Sequence, residues 1–424
     1  MDSHYPLDIV SAPNSSTHLN KKVKGRNSCE NVFLTYFNCC YFMLLLPFRP
    51  VFDNSAKITL KTSPWQKNLC LFFMWLLIII NEVTKVAKRF YKASCSTEPI
   101  SVNQYCKLFV SVLYACKQFK FLWTAYSKQE KIEKYLNAVS SNSLLQKEGK
   151  ELNWKFLFNW EIPFIFLILM GYLGSFVRLG MVLGFKMPQY VSRSRIHVFL
   201  NAGVSHYVNT TELYNAEHVI SFTVELVFSI ISLVDNFLTV IFFLLPIPLW
   251  KAMKRLERLI THQNQIQSNV FNSKDILTKF EEVKLLSSIG NEVWGSLNLL
   301  WILYISSKIV LNFDETIRSQ KALSIALLFG TQFLLITTLI MGAEISRIGE
   351  RLKMHLLIES RSGNRKGEEE EDGAINRLIK QLDVFPVGIG KSAVYRLDYS
   401  FLSQLLTSII ITLFVGAPSS SDND

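Results

Sequence analysis

The last uncharged run of the sequence, residues 399–417, carries the side chains best suited to chemistry. Hydroxyl and amide groups recur along it at steps of three and four, at Ser400, Ser403, Gln404, Thr407, Ser408 and Thr412. On a helix this spacing places them on one side. Lipid cannot satisfy such groups, so this side is expected to face other protein or a path for water.

A narrower set within and just beyond this run has intervals of four, four and three. Its members are Ser408, Thr412, Gly416 and Ser419. We predict that these four residues line the path for water. The alternative is that the hydroxyls bond to their own backbone while the helix packs against a neighbour.

Charged residues inside apolar runs are a second set of candidates, because each charge is costly at mid-membrane. Arg178, Glu225, Asp235 and Glu292 interrupt three such runs. Arg178 and Glu225 are predicted to lie in the same half of the membrane, where they either line a ligand pocket or form a structural ion pair.

Aromatic and amide residues of later runs complete the predicted ligand pocket. Trp301, Tyr304 and Gln332 offer ring faces and an amide, which suit a concave site for a small molecule. The alternative is that they serve as interfacial or packing residues, as most membrane aromatics do.

No constellation typical of an enzyme is present in the sequence. The metal-binding His-Glu-x-x-His, the nucleophile motif Gly-x-Ser-x-Gly and a cysteine ligand set are all missing. Residues 388–392, Gly-Ile-Gly-Lys-Ser, contain only half of a phosphate-binding loop and are predicted to form a turn before the last helix. We therefore expect no catalytic residue, no metal and no cofactor.

The composition places these residues in a membrane protein. Of 424 residues, 49% are hydrophobic and only 19% are charged, below the usual quarter of a soluble domain. The net charge of +11 lies mainly beside apolar runs. Attraction to anionic membrane lipid explains that placement better than binding to nucleic acid.

The apolar runs predict an all-α, polytopic protein with seven transmembrane helices and cytoplasmic helical extensions. The predicted spans are Trp65 to about Lys85, Gln104–Tyr126, Ile162–Phe185, His218 to about Leu245, Leu285–Leu311, Ala322–Ala343 and 397–418. Three alternate loops, 127–157, 251–284 and 344–395, carry six, seven and nine Lys and Arg residues, against three, three and two in the others. The basic loops should be cytoplasmic, which places the N-terminus inside and the C-terminus outside. Asn209, in an Asn-Thr-Thr sequon, then lies outside as a glycosylation site.

The spans divide the chain into five predicted parts. A cytoplasmic N-terminal region with a short apolar helix at 31–46 is followed by helices one to six, a cytoplasmic segment, the seventh helix and a short outer tail. Their bounds are 1–64, 65–343, 344–396, 397–418 and 419–424. The charge run 361–372 within the cytoplasmic segment is expected to be a solvated loop.

The stretch from Tyr395 to Leu402, aromatic-x-Leu-Asp-aromatic-x-Phe-Leu followed by an apolar span, resembles the C-terminal signature of insect gustatory receptors. Thr412 matches the Thr of that signature. Leu413 stands where the family has Tyr, and Ser419-Ser420 stand where it has Gln-Phe.

The resemblance implies a ligand-gated, non-selective cation channel in the plasma membrane of a sensory neuron, opened by a small tastant. It implies a homo- or hetero-tetramer whose subunits touch through cytoplasmic helices and whose last helix lines the pore. Tyr395 and Asp398 would then lie where that helix enters the membrane. The alternatives are a non-conducting receptor subunit and a membrane solute transporter, although no repeated halves of the transporter kind are found.

Overall fold

The computed structural model describes residues 28–42, 46–53, 57–72, 102–146, 241–242, 244–265, 273–319, 322–361, 369–384, 387–391 and 395–416. Most of them are helical, as the apolar runs predict. The helices are α1 Ser28–Phe42, α2 Val102–Ser127, α3 Gln129–Ser141, α4 Ser143–Gln146, α5 Pro246–Gln265, α6 Ser273–Ser319, α7 Ala322–Arg361, α8 Glu369–Val384 and α9 Tyr399–Gly416. The strands are β1 Phe48–Phe52, β2 Ile58–Thr62, β3 Gly390–Lys391 and β4 Tyr395–Arg396.

Helix α6 is the centre of the described structure. It packs against α2, α3, α5, α7, α8, β3 and α9. Its 47 residues correspond to about 70 Å, more than twice the roughly 30 Å of a bilayer core. Helix α7, with 40 residues, corresponds to about 60 Å. Both helices must therefore extend well beyond any membrane that they cross.

Among the described residues, the length and hydropathy of one helix fit a membrane span. Asp275–Leu311 of α6 is long and apolar enough to cross a bilayer, and Tyr399–Thr412 of α9 is apolar but shorter. The predicted third span and most of the first and fourth lie outside the described residues.

The N-terminal region contains a β-ribbon that the sequence does not predict. Strands β1 and β2 pair antiparallel, with Phe48 opposite Thr62. Helix α3 satisfies the open edge of β2: Ile58 N donates to Asn137 Oδ1 at 2.9 Å, and Leu60 N donates to Glu133 Oε2 at 2.9 Å. An edge strand whose backbone groups are met by side chains is protected from pairing with another chain.

The charge run 361–372 is not a loop throughout, contrary to expectation, because its residues 369–372 belong to α8. Helix α8 begins at Glu369. Buried Ile375, Leu378 and Leu382 hold its apolar face against α6 and α7. An ion pair between Lys353 and Asp383 joins α7 to α8 at the surface.

Candidate functional site

The last helix is preceded by a short antiparallel hairpin, β3–β4, in which Gly390 lies opposite Arg396 and Lys391 opposite Tyr395. The backbone of Leu397 extends the pairing, since its N–H donates to Ile389 O at 2.9 Å. Gly390 has φ +145°, and a Cβ there would lie 2.3 Å from Tyr395 O. Only glycine fits this position. The Gly-Ile-Gly-Lys run is therefore part of a hairpin and not a phosphate-binding loop.

Helix α6 holds the hairpin through two polar side chains one turn apart. Ser287 Oγ and Asn291 Nδ2 both donate to Gly388 O, at 2.9 and 2.8 Å. Asn291 Oδ1 accepts from Gly390 N at 2.9 Å. The amide of Asn291 thus bonds to one backbone carbonyl and one backbone N–H of the hairpin, and these bonds fix the hairpin against the helix.

Tyr395 extends the contact with α6 by a further turn. Its hydroxyl donates to Gly295 O at 2.7 Å, and its ring lies 5.9 Å from that of Phe401. The residue is 9% exposed, and burial raises the pKa of its hydroxyl above the usual range. Tyr395 therefore joins the hairpin, α6 and the first turn of α9 as a neutral donor.

Helix α7 holds the other side of the hairpin. Ser346 Oγ donates to Leu397 O at 3.0 Å and accepts from Arg396 Nε at 3.1 Å. Arg396 also donates to Val387 O at 3.2 Å. A Cβ at Gly342 would lie 2.7 Å from Leu397 Cβ, so glycine allows α7 to approach the chain closely here.

Asp398 caps the start of α9. Its Oδ1 accepts from Phe401 N at 2.8 Å, three residues on, which satisfies a backbone donor that an uncapped helix leaves unpaired. Asp398 is therefore the N-terminal cap of α9.

A chain of polar contacts reaches the first residue of α9 from α5. The Tyr399 hydroxyl donates to Glu344 Oε2 at 3.0 Å, and Arg351 bonds Glu344 Oε1 at 3.0 Å and Glu257 Oε1 at 2.7 Å. Burial acts to lower the pKa of Arg351, but the bonds to both carboxylates outweigh it and raise the pKa. The arginine stays charged and links α5, α7 and α9.

Beyond its first turn, the polar side of α9 is not covered. Ser400, Ser403, Gln404, Thr407, Ser408 and Thr412 are all exposed. Ser408 Oγ donates to Gln404 O at 2.8 Å, and Thr412 Oγ1 donates to Ser408 O at 2.7 Å. The hydroxyls bond to their own helix, as one alternative anticipates, yet they do so without being packed against a neighbour. Gly416 is the last residue of α9, and Ser419 lies outside the described residues.

The predicted pocket residues are only partly described. Trp301 is buried and stacks on Phe242 with ring centroids 5.1 Å apart. Tyr304 is buried against Tyr114, and Lys117 Nζ lies 4.4 Å from its ring centroid. Both residues therefore pack against aromatic side chains elsewhere in the chain, and their contact with a ligand stays a prediction.

The other predicted site residues are Gln332, Arg178, Glu225, the glycosylation site Asn209 and the charged Glu292. Gln332 is half-buried on α7, whereas Arg178, Glu225 and Asn209 lie outside the described residues. Glu292 is 53% exposed and forms an ion pair with Lys131 of α3. It is thus a charge at the surface of α6, not a buried intramembrane charge as its place in the fifth apolar run suggests.

The contacts around the hairpin were missed by reasoning from sequence. Ser287, Asn291, Gly342, Ser346 and Glu344 belong to apolar or amphipathic runs and form no motif. Their partners lie in the predicted turn, at Gly388 and Gly390, or in the recognisable pattern from Tyr395 to Leu402. A pairing between a motif and unpatterned residues about 50 or 100 positions earlier requires the folded structure.

Comparison with solved structures reveals the fold. The chain superposes on the insect olfactory receptor OR5 from Machilis hrabei with a TM-score of 0.57 and 13% identity, covering 95% of this chain and 99% of that one. The chain has the fold of an insect olfactory receptor. The structure of OR5 in complex with eugenol matches with a TM-score of 0.55 at the same identity, covering 94% and 98%. The sequence matches no protein-family model and no curated protein.

Proposed function

We propose that this chain is a chemoreceptor of the insect gustatory type, acting as a ligand-gated, non-selective cation channel in the plasma membrane of a sensory neuron. The olfactory-receptor fold over 95% of the chain supports a membrane chemoreceptor, and the eugenol complex of OR5 supports a small organic ligand. The signature from Tyr395 to Leu402 supports the gustatory assignment.

The observation that carries the proposal is the uncovered polar side of α9. Its inner end is bonded to α6 and α7, while its hydroxyl and amide residues are exposed on the single subunit. Ser408 and Thr412 donate within their own helix, so lipid would leave the acceptor lone pairs of these hydroxyl oxygens without partners. A water-filled path shared by several copies, four by the family resemblance, satisfies them.

The hydroxyl geometry of α9 fits cations. Because Ser408 and Thr412 use their hydroxyl hydrogens on their own helix, each oxygen presents acceptor lone pairs outward. Acceptor oxygens replace the hydration shell of a cation, whereas an anion requires donors. Ser408, Thr412, Gly416 and Ser419 are the proposed pore lining.

In the proposed gating mechanism, the hydrogen bonds between the hairpin and helices α6 and α7 transmit ligand binding to the start of α9. A ligand that binds the open state more tightly than the closed state shifts the population toward it. The proposed pocket is formed by Arg178, Glu225, Trp301, Tyr304 and Gln332. Two of these lie on α6 and one on α7, the helices to which the hairpin is bonded. Movement of α6 relative to α7 would therefore displace the start of α9.

The experiment is whole-cell current recording from cells expressing this chain alone. The probes are a sugar panel, bitter alkaloids and eugenol, and Thr412→Trp is recorded beside the unaltered chain. The expected result is a ligand-evoked cation current that the tryptophan abolishes or rectifies.

Surface labelling separates the remaining outcomes of the experiment. Surface expression without current contradicts a channel formed by this chain alone and favours the non-conducting subunit. Uptake of a labelled solute without current favours the transporter.

A further inference from the structure

A small cavity lies between α3, α5, α6 and the hairpin. Its volume is about 20 Å³. Leu245, Leu249, Leu286 and Ile389 form apolar walls, and Trp294 and Asn298 belong to its α6 wall. A space of this size has room for one water molecule.

Two residues of the α6 wall each have a buried polar side-chain atom that lacks a hydrogen-bond partner. Trp294 is 3% exposed and Asn298 is 7% exposed, yet neither Trp294 Nε1 nor Asn298 Oδ1 has a protein partner. A buried donor or acceptor without a partner costs about 1–3 kcal/mol. The two residues are one helical turn apart, so a donor and an acceptor lie on the same side of α6.

We propose that one ordered water molecule occupies this cavity, accepting a hydrogen bond from Trp294 Nε1–H and donating one to Asn298 Oδ1. The molecule supplies both missing partners, because water donates and accepts at once. Ser287 and Asn291, which hold the hairpin, line the same cavity. The water therefore lies beside the contact between α6 and the hairpin. The proposal of this water does not depend on whether the protein is a channel.

Radiolytic hydroxyl-radical footprinting of the purified full chain in lipid nanodiscs tests the site. Radicals generated from a bound water oxidise the side chain beside it, even when bulk solvent cannot reach it. Trp294 is expected to be oxidised several-fold faster than Trp301, which is 1% exposed and does not line the cavity. Equal rates for the two tryptophans would overturn the proposal.

Two variants test the cause of the labelling. Asn298→Leu removes the acceptor, and Gly290→Ala adds a methyl group to the cavity wall, 3.2 Å from the Tyr135 ring. Either variant should lower oxidation of Trp294 to the rate of Trp301, and the second serves if the first fails to fold. Unchanged oxidation of Trp294 in a folded variant would show that the label comes from bulk solvent, and would also overturn the proposal.

Discussion

The two ends of α9 are built differently. At its start, Tyr395, Leu397, Asp398 and Tyr399 bond to or pack against α6, α7 or the helix backbone. Further along, Ser408 and Thr412 are exposed and bond only to their own helix. The first region fixes the position and tilt of the helix, and the second presents a polar surface. Mutations at the start should therefore alter folding, whereas mutations along the exposed side should alter function with little change in folding.

The largest effect on folding is expected at Gly390. Gly390→Val forces a side chain onto a positive φ and against Tyr395 O, at a cost of about 3 kcal/mol or more. The chain should be lost from the cell surface and from the monodisperse peak of size-exclusion chromatography. Gly373→Ala is the control, because nothing lies within 4 Å of a Cβ there. If both variants express and melt alike, the hairpin is not required for the fold.

Replacement of Asn291 should have the next largest effect. Asn291→Leu leaves Gly388 O and Gly390 N without this partner, and we expect a loss of about 2–3 kcal/mol. Asn376→Leu makes the same chemical change at an exposed position of α8 and should stay within about 0.5 kcal/mol of the unaltered chain. Thermal unfolding of the detergent-purified proteins measures both. Equal melting temperatures would contradict the role of Asn291.

The close approach of α7 to the chain can be tested by a double-mutant cycle. Gly342→Ala should destabilise by about 1–3 kcal/mol, because its methyl group overlaps Leu397. Leu397→Gly, which removes the Cβ as well as the rest of the side chain, should also destabilise on its own through loss of packing and added backbone freedom. Since the second change makes room for the first, the double variant should be more stable than the sum of the two effects predicts. Strict additivity would mean that the two residues do not meet.

A smaller effect on stability is expected from loss of the ion pairs that Arg351 forms between α5 and α7. Arg351→Gln removes the bonds to Glu257 and Glu344, but the arginine is 36% exposed, so the stability loss should be at most about 1 kcal/mol. Salt screens such a pair, and the difference from the unaltered chain should shrink at 1 M salt. A difference that is independent of salt would point to lost packing and not to charge.

The sequence predicted the helical class, the polar side of α9 and the turn before it, because each depends on short-range spacing. It did not predict the β1–β2 ribbon, in which Pro50 lies in β1 and the edge of β2 is satisfied by Asn137 and Glu133 of a distant helix. It did not predict that Glu292 pairs with Lys131 of α3, because hydropathy alone cannot reveal such a partner. Long-range partners of this kind are set by packing and not by local pattern.

The most direct test of the account compares two positions of α9 that lie two residues apart. Ser408 is exposed, whereas Leu406 is half-buried against the core about 200° around the helix. Ser408→Cys and Leu406→Cys would each be expressed in cells, opened with the panel above, and treated with a positively charged thiol reagent. The chain without either substitution controls for the native cysteines. Block of the current in Ser408→Cys alone is the predicted result. Block in Leu406→Cys alone, or in neither variant, would contradict a pore lined by the polar side of α9.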